Sequence, residues 1–374
     1  MNMLNEASVD QRYMQLALEL ATQALWRTSP NPRVGCVLVD AQGQEIGRGA
    51  TQQAGGPHAE VMALRDAADQ GHSTVGATAY VTLEPCSHHG RTGPCCDALV
   101  AAGVARVVAS LADPNPLVAG RGVDRLRRHG VRVDLGLGAE ASRELNLGFF
   151  SRMARATPWM RVKVASSLDG LTALPNGESQ WITSASARAD GHAWRARSCA
   201  ILTGIGTVLA DDPRLDVREV DTPRQPAVVV VDSALRTPAT AALFAAKRRV
   251  LIYASRPDAG RVAALTAQGA EVVVMPGRDG RVDLKAMLTD LARREINELH
   301  VEAGARLNGA LLESGLVDEL LLYVAPKLLG TGRGIAAVSA LEHLEEAPEL
   351  EFLSSDRIGP DVRLLARPPG RSHF

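Results

Sequence analysis

Aromatic residues are scarce in this chain: four Trp, four Tyr and five Phe make up 3% of 374 residues. So few rings leave little with which to stack unpaired bases. A surplus of one charge is missing too. The 41 Lys and Arg are balanced by 42 Asp and Glu, for a net charge of -1, so no basic excess points to a polynucleotide partner. No apolar run approaches membrane-spanning length. The opening MNMLNEASVDQRYMQ lacks the basic start and apolar core of a secretory signal. Cysteine is limited to five residues: Cys36, Cys86, Cys95, Cys96 and Cys199. An odd number gathered around a histidine argues against a disulfide frame and for metal chemistry in a reducing compartment. The expectation is a cytoplasmic protein with a small-molecule substrate and neither nucleic acid nor membrane as partner. Composition leaves homo-oligomerisation open.

What is present is ordinary globular material, 46% hydrophobic and 22% charged, in a chain too long for one typical domain. Helical spacing of Met14, Ala17, Leu18, Ala21 and Leu25 predicts a first helix, with Asp10 or Ser8 as its cap. SPNPRVG follows and its prolines exclude helix. Strands VGCVLVD, TAYVTLE, VARVVASL and VRVDLGL alternate with helices PHAEVMALRDAAD, PCCDALVAAG and RGVDRLRRHG. That alternation predicts a three-layer α/β domain over residues 1–156, closed by the helix ASRELNLGFFSRMARA before Thr157-Pro158. It then restarts. WMRVKVASS, CAILTG, PAVVVVDS, RRVLIYAS, AEVVVMP, INELHVEA and VDELLLYVAP read as strands of a second α/β domain over residues 157–374. The tail RPPGRSHF reads as frayed.

The chemistry-bearing motif lies in the first half: His58-Ala59-Glu60, then Pro85-Cys86, then Pro94-Cys95. One His and two Cys can hold zinc and leave its fourth position to water. A non-ligand Glu two residues after the His is the proton carrier of the zinc-deaminase pattern. His58 and Cys95 open helices, where the dipole favours a thiolate, and Cys86 ends a strand. Zinc brings the fourth-site water toward neutral pKa, and Glu60 would move protons to a ring nitrogen and to departing ammonia. The competing reading is a closed structural zinc, with Cys96, His88 or His89 as fourth ligand. Cys96 otherwise points away, and Cys36 and Cys199 sit in strand-like runs that suit the core.

These motifs resemble the bifunctional riboflavin-biosynthesis deaminase–reductases, which join a cytidine-deaminase-like domain to a dihydrofolate-reductase-like α/β domain. The similar stretches include NPRVGCVLV, GGPHAEVMAL, VTLEPCSHHGRTGPC, DPNPLVAGRGVDRLRRHGVRV and ELNLGFF in the first half. They continue with KVASSLDGLTA, GESQWITS, TVLADDPRLDVR, VEAGARLNGALL and VDELLLYVAPKLLG in the second. Two departures stand out. Thr51 and Gln53 occupy places where relatives carry His and Lys, and the loop reads Thr92-Gly93-Pro94-Cys95 where relatives have a second proline.

The second half has no G-x-G-x-x-G, so no Rossmann dinucleotide site is indicated. Its turns ILTGIGTVLADD and HVEAGARLNGALL either offer helix N-termini to phosphate or are only tight connections. The resemblance implies zinc on His58, Cys86 and Cys95, with Glu60 catalytic. It implies NADPH contacts at Ala165, Trp181, Thr207, Asp211, Ser233 and the run Gly304, Ala305, Arg306, Leu307, Asn308, Gly309, Ala310. It implies contacts to a pyrimidine ribotide at Ser179, Arg195, Leu215, Arg218 and Glu302. Arg195 and Arg218 suit a phosphate because a guanidinium presents a fork of donors. Lys163 and Asp169 bracket a turn near the reacting carbon, with Asp169 alternatively a plain turn residue, and Asp211 is the candidate proton donor. Two rival readings are a nucleoside or nucleic-acid deaminase with an unrelated C-terminal domain, and a non-enzymatic zinc-stabilised regulatory protein. Phosphate-independent deamination would mark the first, and zinc-dependent folding without turnover the second.

Overall fold

The computed structural model describes residues 3–88, 93–115 and 119–374. The chain divides into two compact units, Met1–Arg155 and Ala156–Phe374.

The first unit runs α1 (Met3–Gln23), β1 (Gly35–Val39), β2 (Glu45–Ala50), α2 (Ala59–Asp69), β3 (Thr78–Val81), α3 (Cys95–Ala101), β4 (Arg106–Ala109), α4 (Arg121–Arg128), β5 (Arg132–Leu135) and α5 (Ala139–Arg155). Its five strands form one sheet in the order β2-β1-β3-β4-β5. β1 is antiparallel to β2 and β3, while β3, β4 and β5 are parallel. Successive residues of a strand face opposite ways, so β1 splits its apolar run between two layers. Val37 and Val39 pack with Tyr13, Met14 and Leu18 of α1, while Cys36 and Leu38 pack with Ala59 and Ala63 of α2 and Leu99 of α3.

Asp10 is no cap: α1 begins at Met3, and the Asp10 carboxylate accepts hydrogen bonds from Arg106 and Tyr80. An ionisable side chain one helical turn before the apolar stripe serves here to pin α1 to the sheet. β2 was not legible in the sequence because Gly47 and Gly49 interrupt its apolar alternation. The structure gives the reason. A Cβ on Gly47 would lie 2.4 Å from the Ala63 carbonyl oxygen, and one on Gly49 2.5 Å from that of Ala59. Strand and helix backbones touch, and that contact fixes the first turn of α2, which carries His58 and Glu60.

The second unit continues with β6 (Trp159–Ser167), β7 (Leu171–Ala173), α6 (Ala185–Arg197), β8 (Ala200–Gly204), α7 (Ile205–Asp211), β9 (Ala227–Val231), β10 (Val250–Ala254), α8 (Ala259–Ala267), β11 (Ala270–Val274), α9 (Leu284–Arg293), β12 (Glu298–Val301), α10 (Ala305–Glu313), β13 (Glu319–Ala325), β14 (Arg333–Gly334), β15 (Glu351–Ile358) and β16 (Asp361–Arg367). Among the described residues its main sheet has nine strands in the order β11-β10-β9-β8-β12-β6-β13-β16-β15. β11 through β13 are parallel, and β16 and β15 add an antiparallel edge. The inner parallel strands β10, β9, β8, β12 and β6 are largely buried and read as near-continuous apolar runs, which is why they were recognisable. β15 is mostly exposed, β16 is mostly half-buried, and both mix charged with apolar residues, so their pattern was weak. The tail is tied down rather than frayed: Arg371 donates to Asp318 at 2.6 Å, and the Phe374 ring lies 6.1 Å from that of Trp159.

Candidate active sites

In the first unit, Cys86 lies five residues beyond the end of β3, α2 starts just after His58, and α3 starts at Cys95. These ends meet at one edge of the sheet. The His58 Nδ1 lies 3.6 Å from the Cys86 Sγ and 3.3 Å from the Cys95 Sγ. The Cys95 backbone N–H donates to the Cys86 Sγ at 3.4 Å. Among the described residues these three side chains are the one group of His, Cys or carboxylate donors close enough to share an ion, with ligand atoms within 4.8 Å of one another. Cys96 is buried, with its Sγ 3.8 Å from Asp97, and is outside the group. His88 is outside it as well, and His89 and Thr92 lie outside the described residues. One imidazole nitrogen and two sulfurs converging in this way fit a zinc position.

The electrostatics of the pocket suit proton traffic. Glu60 is buried, and burial, helped by the Cys86 charge, raises its carboxyl pKa to about 7. The Cys86 thiol is pulled well down by its hydrogen bonds with Cys95 and His58, while the Cys95 thiol is pushed up by sharing that bond. A proton-carrying carboxyl next to a thiolate–imidazole set is what a zinc deaminase needs. Of the two departures, the Thr51 backbone N–H donates to the Val34 carbonyl at 2.9 Å with its side chain buried, while Gln53 is exposed.

In the second unit the C-terminal ends of β6, β8, β9 and β12 open into a cleft of about 1640 Å³. Ligands of parallel α/β sheets bind at such strand ends. The helices α7 and α10 start side by side on its floor, with a Cβ on Gly304 only 3.8 Å from the Thr207 Oγ1. Ala165, Trp181, Thr207, Asp211 and Ser233 line the cleft. So do Gly304, Ala305, Arg306, Leu307 and Ala310, and on the other side Ser179, Arg195, Leu215, Arg218 and Glu302. Asn308 and Gly309 do not. The Asn308 amide donates to the Ile335 carbonyl at 3.0 Å, and a Cβ on Gly309 would lie 1.9 Å from the Ala337 carbonyl oxygen. These two residues hold the 335–337 segment against α10.

The two arginines differ. The Arg195 fork is filled by the Glu302 carboxylate, and its third nitrogen donates to the Asp216 carbonyl at 2.9 Å. Glu302 is accordingly held well below the usual carboxylate range, against the cost of burial. Arg218 donates to the Asp216 carboxylate at 2.7 Å and is 48% exposed. Lys163 lines the cleft, and burial lowers its pKa. Asp169 lies elsewhere: its carboxylate accepts the backbone N–H groups of Leu329 and Gly330, the turn role. The Asp211 carboxyl is raised by burial, with Arg333 working against it. Trp181 is 60% exposed at the cleft, with the Arg188 guanidinium 4.4 Å over its ring. The sequence reading missed His192, whose Nδ1 accepts the Arg218 backbone N–H at 3.3 Å and whose pKa burial pulls down to about 4. Its position three residues before Arg195, on one face of α6, was the available signal.

The fold and the first site define a zinc-dependent deaminase unit joined to a second α/β unit with a cleft for an extended small molecule. Comparison with known proteins makes this specific. Residues 7–111 match the family model of the cytidine and deoxycytidylate deaminase zinc-binding region, and residues 158–364 that of the RibD C-terminal domain. The chain is 47% identical to the riboflavin biosynthesis protein RibD of Escherichia coli (strain K12), over 95% of this chain and 98% of that one. The solved structure of Acinetobacter baumannii RibD aligns at 42% identity with a TM-score of 0.88, over 96% of this chain and 99% of that one. That of a Thermotoga maritima diaminohydroxyphosphoribosylaminopyrimidine deaminase/5-amino-6-(5-phosphoribosylamino)uracil reductase aligns at 31% identity with a TM-score of 0.86, over 96% and 99%. The chain belongs to the RibD family of bifunctional riboflavin-biosynthesis deaminase–reductases. Its first unit is the cytidine-deaminase-like, zinc-binding deaminase and its second the RibD-type reductase. The rival readings fall with that assignment. Among the described residues no helix is long and apolar enough to cross a membrane.

Proposed function

We propose that residues 1–156 deaminate a 2,5-diamino-6-(ribosylamino)pyrimidin-4-one 5′-phosphate and that residues 157–374 then reduce its ribosyl group with NADPH. The observation that carries the reading is the convergence of His58, Cys86 and Cys95 beside the buried Glu60. When bound, zinc supplies an acidified water for attack on the amino-bearing C2 of the ring. Glu60 would carry one proton of that water to the ring nitrogen as hydroxide adds at C2, and then the remaining hydroxyl proton to the leaving amino group, so that ammonia departs and C2 becomes a carbonyl. Its carboxyl, near neutral pKa through burial, suits both directions of transfer.

In the cleft of the second unit, Ala165, Trp181, Thr207, Asp211, Ser233 and the Gly304–Leu307 start of α10, with Ala310, hold NADPH, which supplies the hydride when bound. Asn308 and Gly309 shape that site through the segment they pack. Ser179, Leu215, Arg218 and Glu302 orient the ribotide so that its sugar C1′, opened to an imine, receives the hydride, giving the ribityl product. Arg195 acts in this scheme by holding Glu302 ionised and in place. Asp211 is the proton donor we favour, because burial raises its carboxyl. Reduced thiols at the zinc position suit a cytoplasmic enzyme.

The test follows ammonia release and NADPH oxidation together in the purified protein. Ammonia appears without NADPH, and NADPH is consumed only once deaminated product is present. NADPH consumption that precedes deamination would overturn the order. Zinc-loaded protein that never releases ammonia would remove this substrate from the first site.

A further inference from the structure

Glu84 immediately precedes the Pro85-Cys86 ligand segment and is buried, 3% exposed, with no cation among its hydrogen-bond partners in the described residues. Its carboxylate instead accepts four backbone N–H groups. One oxygen takes Gly122 at 2.9 Å and Val123 at 3.1 Å, in the first turn of α4. The other takes Asp113 and Gly120, each at 3.0 Å, from the segment leading into α4. The N-cap of α4 is Gly120, which has no side chain to cap with. Glu84 therefore caps that helix from a distance in sequence, a buried carboxylate at the positive end of a helix dipole. The fit is close: a Cβ on Gly122 would lie 2.1 Å from the Pro85 carbonyl oxygen.

One turn further along α4, Arg125 reaches both ligand segments. It donates to the Ser87 carbonyl at 3.3 Å, next to Cys86, and to the Asp97 carboxylate at 2.7 and 2.8 Å, two residues after Cys95. α4 is thus anchored by Glu84 at its start and bonded by Arg125 to the segments bearing the two sulfurs. We propose that Glu84 is a positioning residue of the deaminase site: it seats α4, and α4 sets the spacing between the Cys86 and Cys95 sulfurs. The carboxylate touches neither metal nor substrate. Outer groups that orient metal ligands typically change metal affinity or activity by about 10–100-fold when removed.

The test uses the full chain and Glu84→Gln, which keeps the shape but turns an NH2 group toward backbone donors. Zinc retention is measured by competition with a chromophoric chelator, and ligand geometry by the visible spectrum of the cobalt-substituted protein. We expect zinc to be held about 10–100-fold less tightly and the cobalt–thiolate bands to shift, while the second unit reduces supplied deaminated substrate at the parent rate. Parent zinc affinity with an unshifted cobalt spectrum overturns the proposal. Should Glu84→Gln unfold the first unit, Arg125→Met decides. Its side chain is 35% exposed, so the fold survives its loss, and only the bonds from α4 to Ser87 and Asp97 are cut. A several-fold loss of zinc retention with shifted cobalt bands supports the brace, and parent behaviour overturns it.

Discussion

Two carboxyl groups withdrawn from water in the first unit, Glu60 and Asp113, shift oppositely to two in the second, Glu302 and Glu319. In the first, burial raises Glu60 and Asp113 to about 7 each, and among the described residues neither has a basic side chain as hydrogen-bond partner. In the second, Glu319 is fully buried and Glu302 keeps 15% of its side chain exposed, yet both are held below the ordinary carboxylate range, because Arg195 embraces one and Arg161 and Arg367 flank the other. Desolvation alone favours the neutral acid, and a guanidinium in contact reverses that. In the scheme proposed above Glu60 loads and unloads a proton, whereas Glu302 and Glu319 serve as fixed charges that hold arginines in register.

The sharpest way to break this comparison is Glu60→Gln. A group that cannot carry a proton leaves the proposed zinc ligands untouched, so zinc stays bound and NADPH oxidation with supplied intermediate continues. Ammonia release should fall by about 10²–10⁴-fold, the usual contribution of a general acid–base group. Loss of both activities would show that the sites are not independent.

Stability should separate the two classes of carboxyl next. Glu319→Gln leaves Arg161 and Arg367 buried with half their partner charge gone, and Arg161 is only 1% exposed. Breaking a buried pair from one side costs about 3–5 kcal/mol. The unfolding transition of the second unit should drop by that amount while the first holds. Glu319 has a lowered folded pKa, so its contribution is complete above the ordinary 4.5 and lost as pH falls below it. The deficit of Glu319→Gln therefore shrinks in acid. Asp113→Asn should do the reverse. The folded pKa of Asp113 is raised from 3.8 to about 7, so the parent loses stability as pH climbs between those values, and the asparagine variant does not. Its Oδ1 can still accept the Asn115 N–H seen at 2.8 Å. Measured against the parent, Asp113→Asn should gain stability from pH 4 to 7, by at most a few kcal/mol, and level off above. A difference that is flat with pH would mean the Asp113 carboxyl is not raised.

Much of the deaminase site was legible because its parts sit at places sequence marks well. His58 and Cys95 follow or adjoin prolines at helix starts, and Cys86 follows a β-rich run. The parallel strands of the second unit were equally plain as Val- and Leu-rich runs. What was hidden depended on partners far along the chain. Glu84 meets its four donors 29 to 39 residues later, all of them backbone groups with no residue-type signature. The pairing of Arg195 with Glu302, 107 residues on, carried no local signal either. β2 was invisible because the glycines that let α2 touch it erase the alternation that marks a strand.

The Arg195–Glu302 pair leads to the mildest prediction, which sharpens the contrast inside the second unit. Arg218 spends one nitrogen on Asp216, which Arg214 also pairs at 2.9 Å, and stands half exposed at the cleft. Removing it strands no buried charge, so Arg218→Ala should fold as the parent does. If its guanidinium meets the substrate phosphate, KM for the reductase step rises about tenfold, the lower range for a lost charge-assisted hydrogen bond, with kcat unchanged. Arg195→Ala should look different: Glu302 is left buried without its cation, and both stability and kcat fall. Equal behaviour of the two variants would mean that the fork on Glu302 does not distinguish them. An unchanged KM in a well-folded Arg218→Ala would remove that residue from the phosphate site.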